Sequence, residues 1–283
     1  MDCLEELGWG PYQCDHEDAN GQFEINWGPS DALVTADRHG FFKYMASALA
    51  EKHGMRATFM PKPFINLSGN GCHVHHSLWR GDEEVFLNRF RVGSTGEDVR
   101  GLDLSVEAYH WLGGLLDHAP AMCALTNPTV NSYKRINAPV TASGATWSPN
   151  TVSYTDNNRT HMVRVPSAPR FEFRLGDGSA NPYLLQAAII AAGLDGLEKQ
   201  TEPGEPCFEN MYAPTPEAMA AAAGMPKLPL YLLDALRELE ADETLCAALG
   251  DEFSAAFLKL KHAQWNEYSQ HLTQWEIDAT LNC

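Results

Sequence analysis

The sequence predicts an α+β fold: a curved, mainly antiparallel sheet that carries polar side chains and is backed by helices. Three observations lead there. Strand-like and helix-like segments alternate up to about residue 200, several short segments alternate polar and apolar side chains with period two, and from Thr215 onward the pattern is helical. The texture changes near Gly204, so residues 1–203 are read as the catalytic part of one domain and residues 204–283 as its helical continuation.

Composition bounds the function. The 283 residues are 44% hydrophobic, enough for a core, and 37 acidic against 20 basic residues give a formal charge of -17. That charge repels nucleic acid and anionic lipid, so neither is expected as a partner. Seven cysteines, an odd number with no C-x-x-C pair, suit a reduced cytoplasmic protein. The opening MDCLEELGWG is neither a secretory signal nor a transit peptide, and the longest apolar stretch, residues 187–193, is too short to span a bilayer.

In chain order, His16-Glu17-Asp18-Ala19-Asn20-Gly21-Gln22-Phe23-Glu24 reads as a hairpin on a two-residue Asn20-Gly21 turn, which sets Glu17 opposite Glu24. Like charges there ask either for a bound cation or for solvent on that face. A helix over 36–53, with Phe42, Met45, Ala46 and Leu49 on one stripe and Gly54 as its stop, precedes a strand over 56–60. Next, the Gly69-Asn70-Gly71 turn leads into a strand on which His73, His75 and Ser77 share a face. That face suits either hydrogen-bonded histidines or ligands for metal and phosphate.

Residues 104–125 are expected to be helical. The segment Arg170-Phe171-Glu172-Phe173-Arg174-Leu175 alternates strictly, so Arg170, Glu172 and Arg174 lie on one face. A carboxylate between two guanidiniums is either an ion-pair ladder or a metal ligand flanked by anion-gripping arginines. Asn181-Pro182 opens a helix apolar nearly all round, hence expected to be buried, and Leu232, Leu236 and Leu239 mark packing stripes in acidic helices over 228–275.

Arg135, Arg159 and Arg164, converging with these segments, would form a cationic pocket in an acidic protein. No G-x-x-x-x-G-K-[ST] or G-x-G-x-x-G run is present, so a nucleotide would be held by metal ions and arginines. Oxygen and imidazole ligands without cysteine favour Mg2+ or Mn2+.

Taken in order, HEDANGQFEI, MPKPFINLSGNGCHVHHSLW, NSYKR, NNRTHMVRVP and RFEFRLGDGSANPYL resemble the successive motifs of glutamine synthetases, from about residue 12 to 185. The stretch RINAPVTASGATWSPNTVSYTDNNRTHMVRVP is similar to the type III, or gamma-glutamylmethylamide synthetase, branch. The resemblance implies a glutamine-synthetase-like catalytic domain and an ATP-dependent ligase that joins glutamate to ammonia or a small alkylamine through gamma-glutamyl phosphate. It implies Glu17 and Glu24 as ligands of one divalent ion, His73 and Glu172 of the other. Asn70, Gly71, Arg135 and Arg174 would hold glutamate, Arg159 the transferring phosphate, and His75, Ser77, Arg164 and Arg170 the nucleotide.

Two departures accompany it. Where the family carries a flap glutamate after NSYKR, this chain reads Ile136-Asn137-Ala138-Pro139-Val140, which leaves the amine-handling residue unassigned and suggests an altered amine preference. The usual lysine is absent from 166–169, which read Pro-Ser-Ala-Pro. The resemblance further implies a beta-grasp domain and an E-x-E strand ahead of residue 12, and homo-oligomeric rings in which neighbours complete each site. On that expectation the chain is N-terminally truncated and its activity alone is open. A catalytically silent homologue that binds nucleotide or metal, or acts in assembly or regulation, is the alternative. Phosphoryl transfer to a guanidino acceptor is disfavoured by NSYKR and GNGCHVH.

Overall fold

The computed structural model describes residues 1–87, 100–167, 169–212 and 215–283. Ala168, within the Pro-Ser-Ala-Pro run, lies outside them. The chain opens with α1 (Asp2–Glu6) and a hairpin of β1 (Pro11–His16) and β2 (Phe23–Trp27), then α2 (Ala32–Lys52). The hairpin differs from expectation. Asp15, not Glu17, pairs with Glu24, and the ladder ends at His16 with Phe23. A type I′ turn needs positive φ at both central residues, but of Asn20 and Gly21 only Gly21 adopts it, so the loop is longer and Glu17 meets Glu24 diagonally.

The segment 56–60 forms no strand. Its outgoing end runs into Pro61 and Pro63, which have no N–H to give a ladder, and the carbonyls of Met60 and Pro61 accept instead from Asn70. Then come β3 (Val74–His76), β4 (Trp79–Arg80) and β5 (Glu83–Glu84), so His73 and Ser77 flank their strand.

The helix expected over 104–125 is two helices, α3 (Val106–Asp117) and α4 (Ala119–Thr126), meeting at His118. Pro120, near the start of α4, lacks the N–H an uninterrupted helix would need and fits only in a first turn. The short α5 (Ser132–Ile136) carries Arg135. With β6 (Tyr154–Thr155), β7 (Val163–Ser167) and β8 (Arg170–Phe173), the central sheet takes the order β3-β8-β7-β6, antiparallel except between β6 and β7. Pro166 falls where the β7–β8 register shifts, a place in a sheet that tolerates a missing donor.

Helix α6 (Pro182–Lys199) starts on the Asn181 cap, whose side chain accepts from the Tyr183 and Leu184 N–H groups. It is not buried all round, since Ile190 is 39% and Leu194 52% exposed. Its buried stripe meets α3 closely: a Cβ on Gly114 would sit 2.0 Å from the Ala192 carbonyl, so only glycine permits that approach. After α7 (Pro216–Gly224), helices α8 (Leu232–Ala241), α9 (Glu243–Leu249), α10 (Asp251–Ser269) and α11 (Gln274–Thr280) complete the chain. One apolar core runs from Phe86, Met122, Phe171 and Phe173 to Leu232, Leu236, Leu239 and Leu245. Among the described residues, no helix is long and apolar enough to cross a membrane.

Candidate functional site

The hairpin tip docks on the glycine turn. Gln22 Nε2 donates to the Gly69 carbonyl at 3.0 Å and to Asn70 Oδ1 at 2.8 Å, while Asn70 Nδ2 donates to the Met60 carbonyl at 2.8 Å. The Ser68 and Ser143 hydroxyls both donate to Asp18, which ties the tip to the loop after α5. This docking brings Glu17 and Glu24 within hydrogen-bonding reach of each other, and burial followed by the Glu24 charge raises the Glu17 carboxyl above its usual range.

Beside the tip, three strands align one polar row. His75 of β3, Glu172 of β8 and Arg164 of β7 are register partners, and His73 and Arg174 follow on the same face. Polarity alternates along β8 but burial does not: Phe171 and Phe173 are fully buried, and Glu172 and Arg174 are only 4% and 3% exposed. A carboxylate there must be paired. Glu172 accepts from Arg164 Nη1 and Arg174 Nη1, each at 2.6 Å, and lies 3.2 Å from His73 Nδ1. Burial opposes its charge, but His73, Arg174 and Arg164 outweigh burial and hold the carboxyl well below the ordinary range. Burial, with Arg174 beside it, pushes the His73 imidazole down to about 4. His75 is also lowered, by burial first, and senses the charges of both Glu172 and Glu24, so the two acidic pairs share one neighbourhood.

The row is left incomplete in a specific way. His73 Nε2 and Arg174 Nε are buried without a hydrogen-bond partner among the described residues. Buried polar atoms are nearly always satisfied, so these two, on neighbouring residues of the row, call for a partner from water or a ligand.

Arg135 is 1% exposed and donates to the Leu175 carbonyl at 2.8 Å and the Arg174 carbonyl at 3.2 Å. A Cβ on Gly71 would lie 2.7 Å from His73 Nε2 and 2.9 Å from Arg135 Nη2, so the bare glycine backbone leaves both groups reachable. The remaining expected residues lie further out. Ser77 is exposed and accepts from Trp79 Nε1, Arg170 is exposed at the start of β8, and Arg159 is exposed on the loop between β6 and β7.

Sequence reasoning passed over several residues that build this face. Gln22 and Asp18 anchor the tip, and their position inside the hairpin motif was the available signal. Asp177 is fully buried, accepts from Asn127 Nδ2 at 3.0 Å and the Ser179 hydroxyl at 2.6 Å, and pairs through its backbone with Gly71 of the glycine turn; its signal was the Asp-Gly pair after β8. Trp147, at φ 53° and packed edge-on against Tyr212, carries no such signal.

Among the described residues, no three His, Cys, Asp or Glu side chains gather closely enough to cage a metal ion. Two pairs of donors do: Glu17 with Glu24, and His73 with Glu172. Magnesium is commonly held by one or two protein carboxylates, with phosphate oxygens and water filling the remaining positions, so incomplete pairs fit such an ion. His73 Nδ1 and Glu172 Oε1, 3.2 Å apart, have the spacing of two ligands of one ion.

The chain is similar over nearly its whole length to known proteins. The family described as "Glutamine synthetase, catalytic domain" matches residues 1–280. A glutamine synthetase of Rhizobium leguminosarum bv. phaseoli is 59% identical over 281 residues, 99% of this chain and 62% of that protein. A glutamate--methylamine ligase of Methyloversatilis universalis is 46% identical over 278 residues, 98% of this chain and 61% of that protein. The structure titled "GmaS/ADP complex-Conformation 1" superimposes with a TM-score of 0.89 at 56% identity, covering 100% of this chain and 62% of its own. The chain therefore spans about 62% of the length of these relatives.

Proposed function

The chain belongs to the glutamine synthetase family, and we propose that within its whole protein it supplies the catalytic face of an ATP-dependent ligase that joins the glutamate side-chain carboxylate to ammonia or a small alkylamine. The observation that carries this reading is the polar row around Glu172, with its two buried, unpartnered nitrogens beside a glycine turn.

In the first step a side-chain carboxylate oxygen of glutamate attacks the terminal phosphorus of ATP, and the bond to ADP breaks. In the second, the amine nitrogen attacks the acyl carbon, phosphate leaves with the bonding electrons, and the proton shed by the amine goes to the departing phosphate. Neither step needs a protein nucleophile; both need charge held in place. Arg174, kept in position by Glu172, and Arg135, beneath Gly71, are assigned to glutamate, with Asn70 and Gly71 against its backbone. Arg159 is assigned to the phosphate in transfer, and its exposure leaves it free to swing toward the substrate. Arg164, Arg170, His75 and Ser77 are assigned to the nucleotide.

Glu17 with Glu24, and His73 with Glu172, would hold Mg2+ or Mn2+, which when bound neutralises phosphate charge and orients the nucleotide. His73 is suited to this because an imidazole lowered to about 4 is neutral near neutral pH. Its Nδ1 lies 3.2 Å from Glu172 Oε1, so an ion held by both would take the Nδ1 lone pair and leave the ring proton on Nε2.

The loop after α5 has no acid, and Val140 on it is 72% exposed, which favours a substituted amine alongside ammonia. The test is phosphate release from ATP and glutamate by the complete gene product, with ammonia, methylamine and ethylamine compared. Release that depends on the amine is expected. Nucleotide binding with no release under any amine would replace the ligase with the silent homologue.

A further inference from the structure

Within the helical layer, at the joint where α3 ends and α4 begins, His118 is 6% exposed and bonded at both ring nitrogens. Nδ1 lies 2.6 Å from Asp242 Oδ2, on the link between α8 and α9, and Nε2 lies 2.9 Å from Asp195 Oδ2 on α6. A neutral imidazole has one N–H and one lone pair, so it would satisfy one carboxylate and turn a lone pair on the other. Only the imidazolium donates to both.

The surroundings agree with a cation. Facing His118 are Asp195 and Lys199 from α6 and Asp242 from the α8–α9 link, with Lys199 Nζ 2.9 Å from Asp195 and Asp117 adding negative charge near Lys199. His118 and Lys199 then balance Asp195 and Asp242. Without the His118 proton, two carboxylates face one ammonium that is 56% exposed. Both carboxylates also have local duties: Asp242 Oδ1 caps α9 by accepting from the Leu245 N–H at 2.9 Å, and Asp195 Oδ1 is 3.5 Å from the Thr244 hydroxyl. The proton on His118 therefore joins five helices at one point.

We infer that His118 is a proton-operated clasp, fastening the α8–α9 pair to α6 and the α3–α4 joint through its two carboxylates and loosening that attachment when it loses its proton. The clasp acts on the fold and is independent of the ligase reading. Its sign follows from the partners. The bonds to Asp242 and Asp195 outweigh burial and raise the imidazole above its ordinary 6.5, so the clasp is fully closed below that value and opens as pH rises through the folded value.

The test is ring titration of His118 by NMR, together with hydrogen exchange of the α8 and α9 amides from about pH 6 to about pH 9, corrected for intrinsic rates. In the unsubstituted chain the ring is expected to titrate above 6.5, with protection of α8 and α9 falling by up to about tenfold per pH unit beyond that point. In His118→Gln the same amides lose this pH dependence. Asp242→Asn, which keeps an oxygen for the α9 cap, is expected to move the ring titration back toward 6.5 and covers the case in which His118→Gln does not fold. A ring that titrates at or below 6.5, or α8–α9 protection that is flat with pH in the unsubstituted chain, overturns the inference.

Discussion

His73 and His118 each bond a carboxylate in the interior, yet the two are built to opposite ends. His118 has a carboxylate at each nitrogen and is left with nothing unsatisfied. His73 shares one carboxylate with two arginines, is pushed down to about 4, and keeps Nε2 bare. The same residue types therefore do structural work where their hydrogen bonds close, and offer chemistry where one is left open. The difference lies in the second nitrogen, a matter of which elements meet there.

The most severe way to break this contrast is to remove the charge at its centre. Glu172→Gln leaves Arg164 and Arg174 facing each other without a counter-charge in a buried row. Amine-dependent phosphate release is expected to fall by about a thousandfold, and stability by about 3 kcal/mol, read by steady-state assay and denaturant titration. Asp195→Asn in the clasp should lower stability while leaving turnover unchanged. Equal loss of turnover in both variants would erase the distinction.

The two clusters should also fail at opposite ends of the pH scale. The Glu172 carboxyl is depressed in the folded state, so its stabilisation is present above the ordinary 4.5 and lost as pH falls toward the folded value. His118 is raised, so its stabilisation is present below 6.5 and lost as pH rises. A stability profile against pH should therefore lose its acid limb in Glu172→Gln and its alkaline limb in His118→Gln, as thermal melts across the range would reveal.

A smaller effect is expected from Gly71→Ala. The added methyl would meet His73 Nε2 at 2.7 Å and Arg135 Nη2 at 2.9 Å, the groups left reachable by the bare backbone. Because Gly71 is not in the left-handed region, the backbone tolerates alanine and the fold should hold. The KM for glutamate is expected to rise by about ten- to a hundredfold with kcat less affected, since a displacement of about 1 Å at a positioning group has that scale. An unchanged KM would remove the glycine turn from the glutamate site.

Much of this was legible in residue order, and the reasons for the rest are specific. Period-two alternation in 170–175 gave the shared face of Glu172 and Arg174, because strand geometry is local. The Asn181-Pro182 cap and the Leu232, Leu236, Leu239 stripe were readable for the same reason. The break at His118 was carried by Pro120 but hidden by an apolar pattern continuing through both helices. The strand expected over 56–60 was lost to competition, since Asn70 claims the carbonyls beside it. The hairpin register depended on the φ of a single asparagine. The clasp was out of reach altogether, because Asp195 and Asp242 lie 77 and 124 residues from His118.

The finest test sits at the hairpin tip, where the contrast between satisfied and unsatisfied groups becomes a contrast of sign. Glu17 and Glu24 repel each other across the diagonal, and the raised Glu17 carboxyl records that repulsion together with burial. Like charges at neighbouring sheet positions destabilise by up to about 1 kcal/mol. Glu24→Gln removes one charge, so without divalent ions the variant should be slightly more stable than the unsubstituted chain, by about 0.5 kcal/mol at neutral pH. The Glu17 carboxyl should fall back toward its ordinary 4.5. A divalent ion reverses the ordering, since the same repulsion is what it neutralises, and affinity for Mg2+ or Mn2+ should drop at least tenfold in the variant. Melts with and without the ion measure both effects at once: a gain without metal and a deficit with it identify a cation site. A variant shifted equally in both conditions would make the pair two solvated glutamates on an exposed turn.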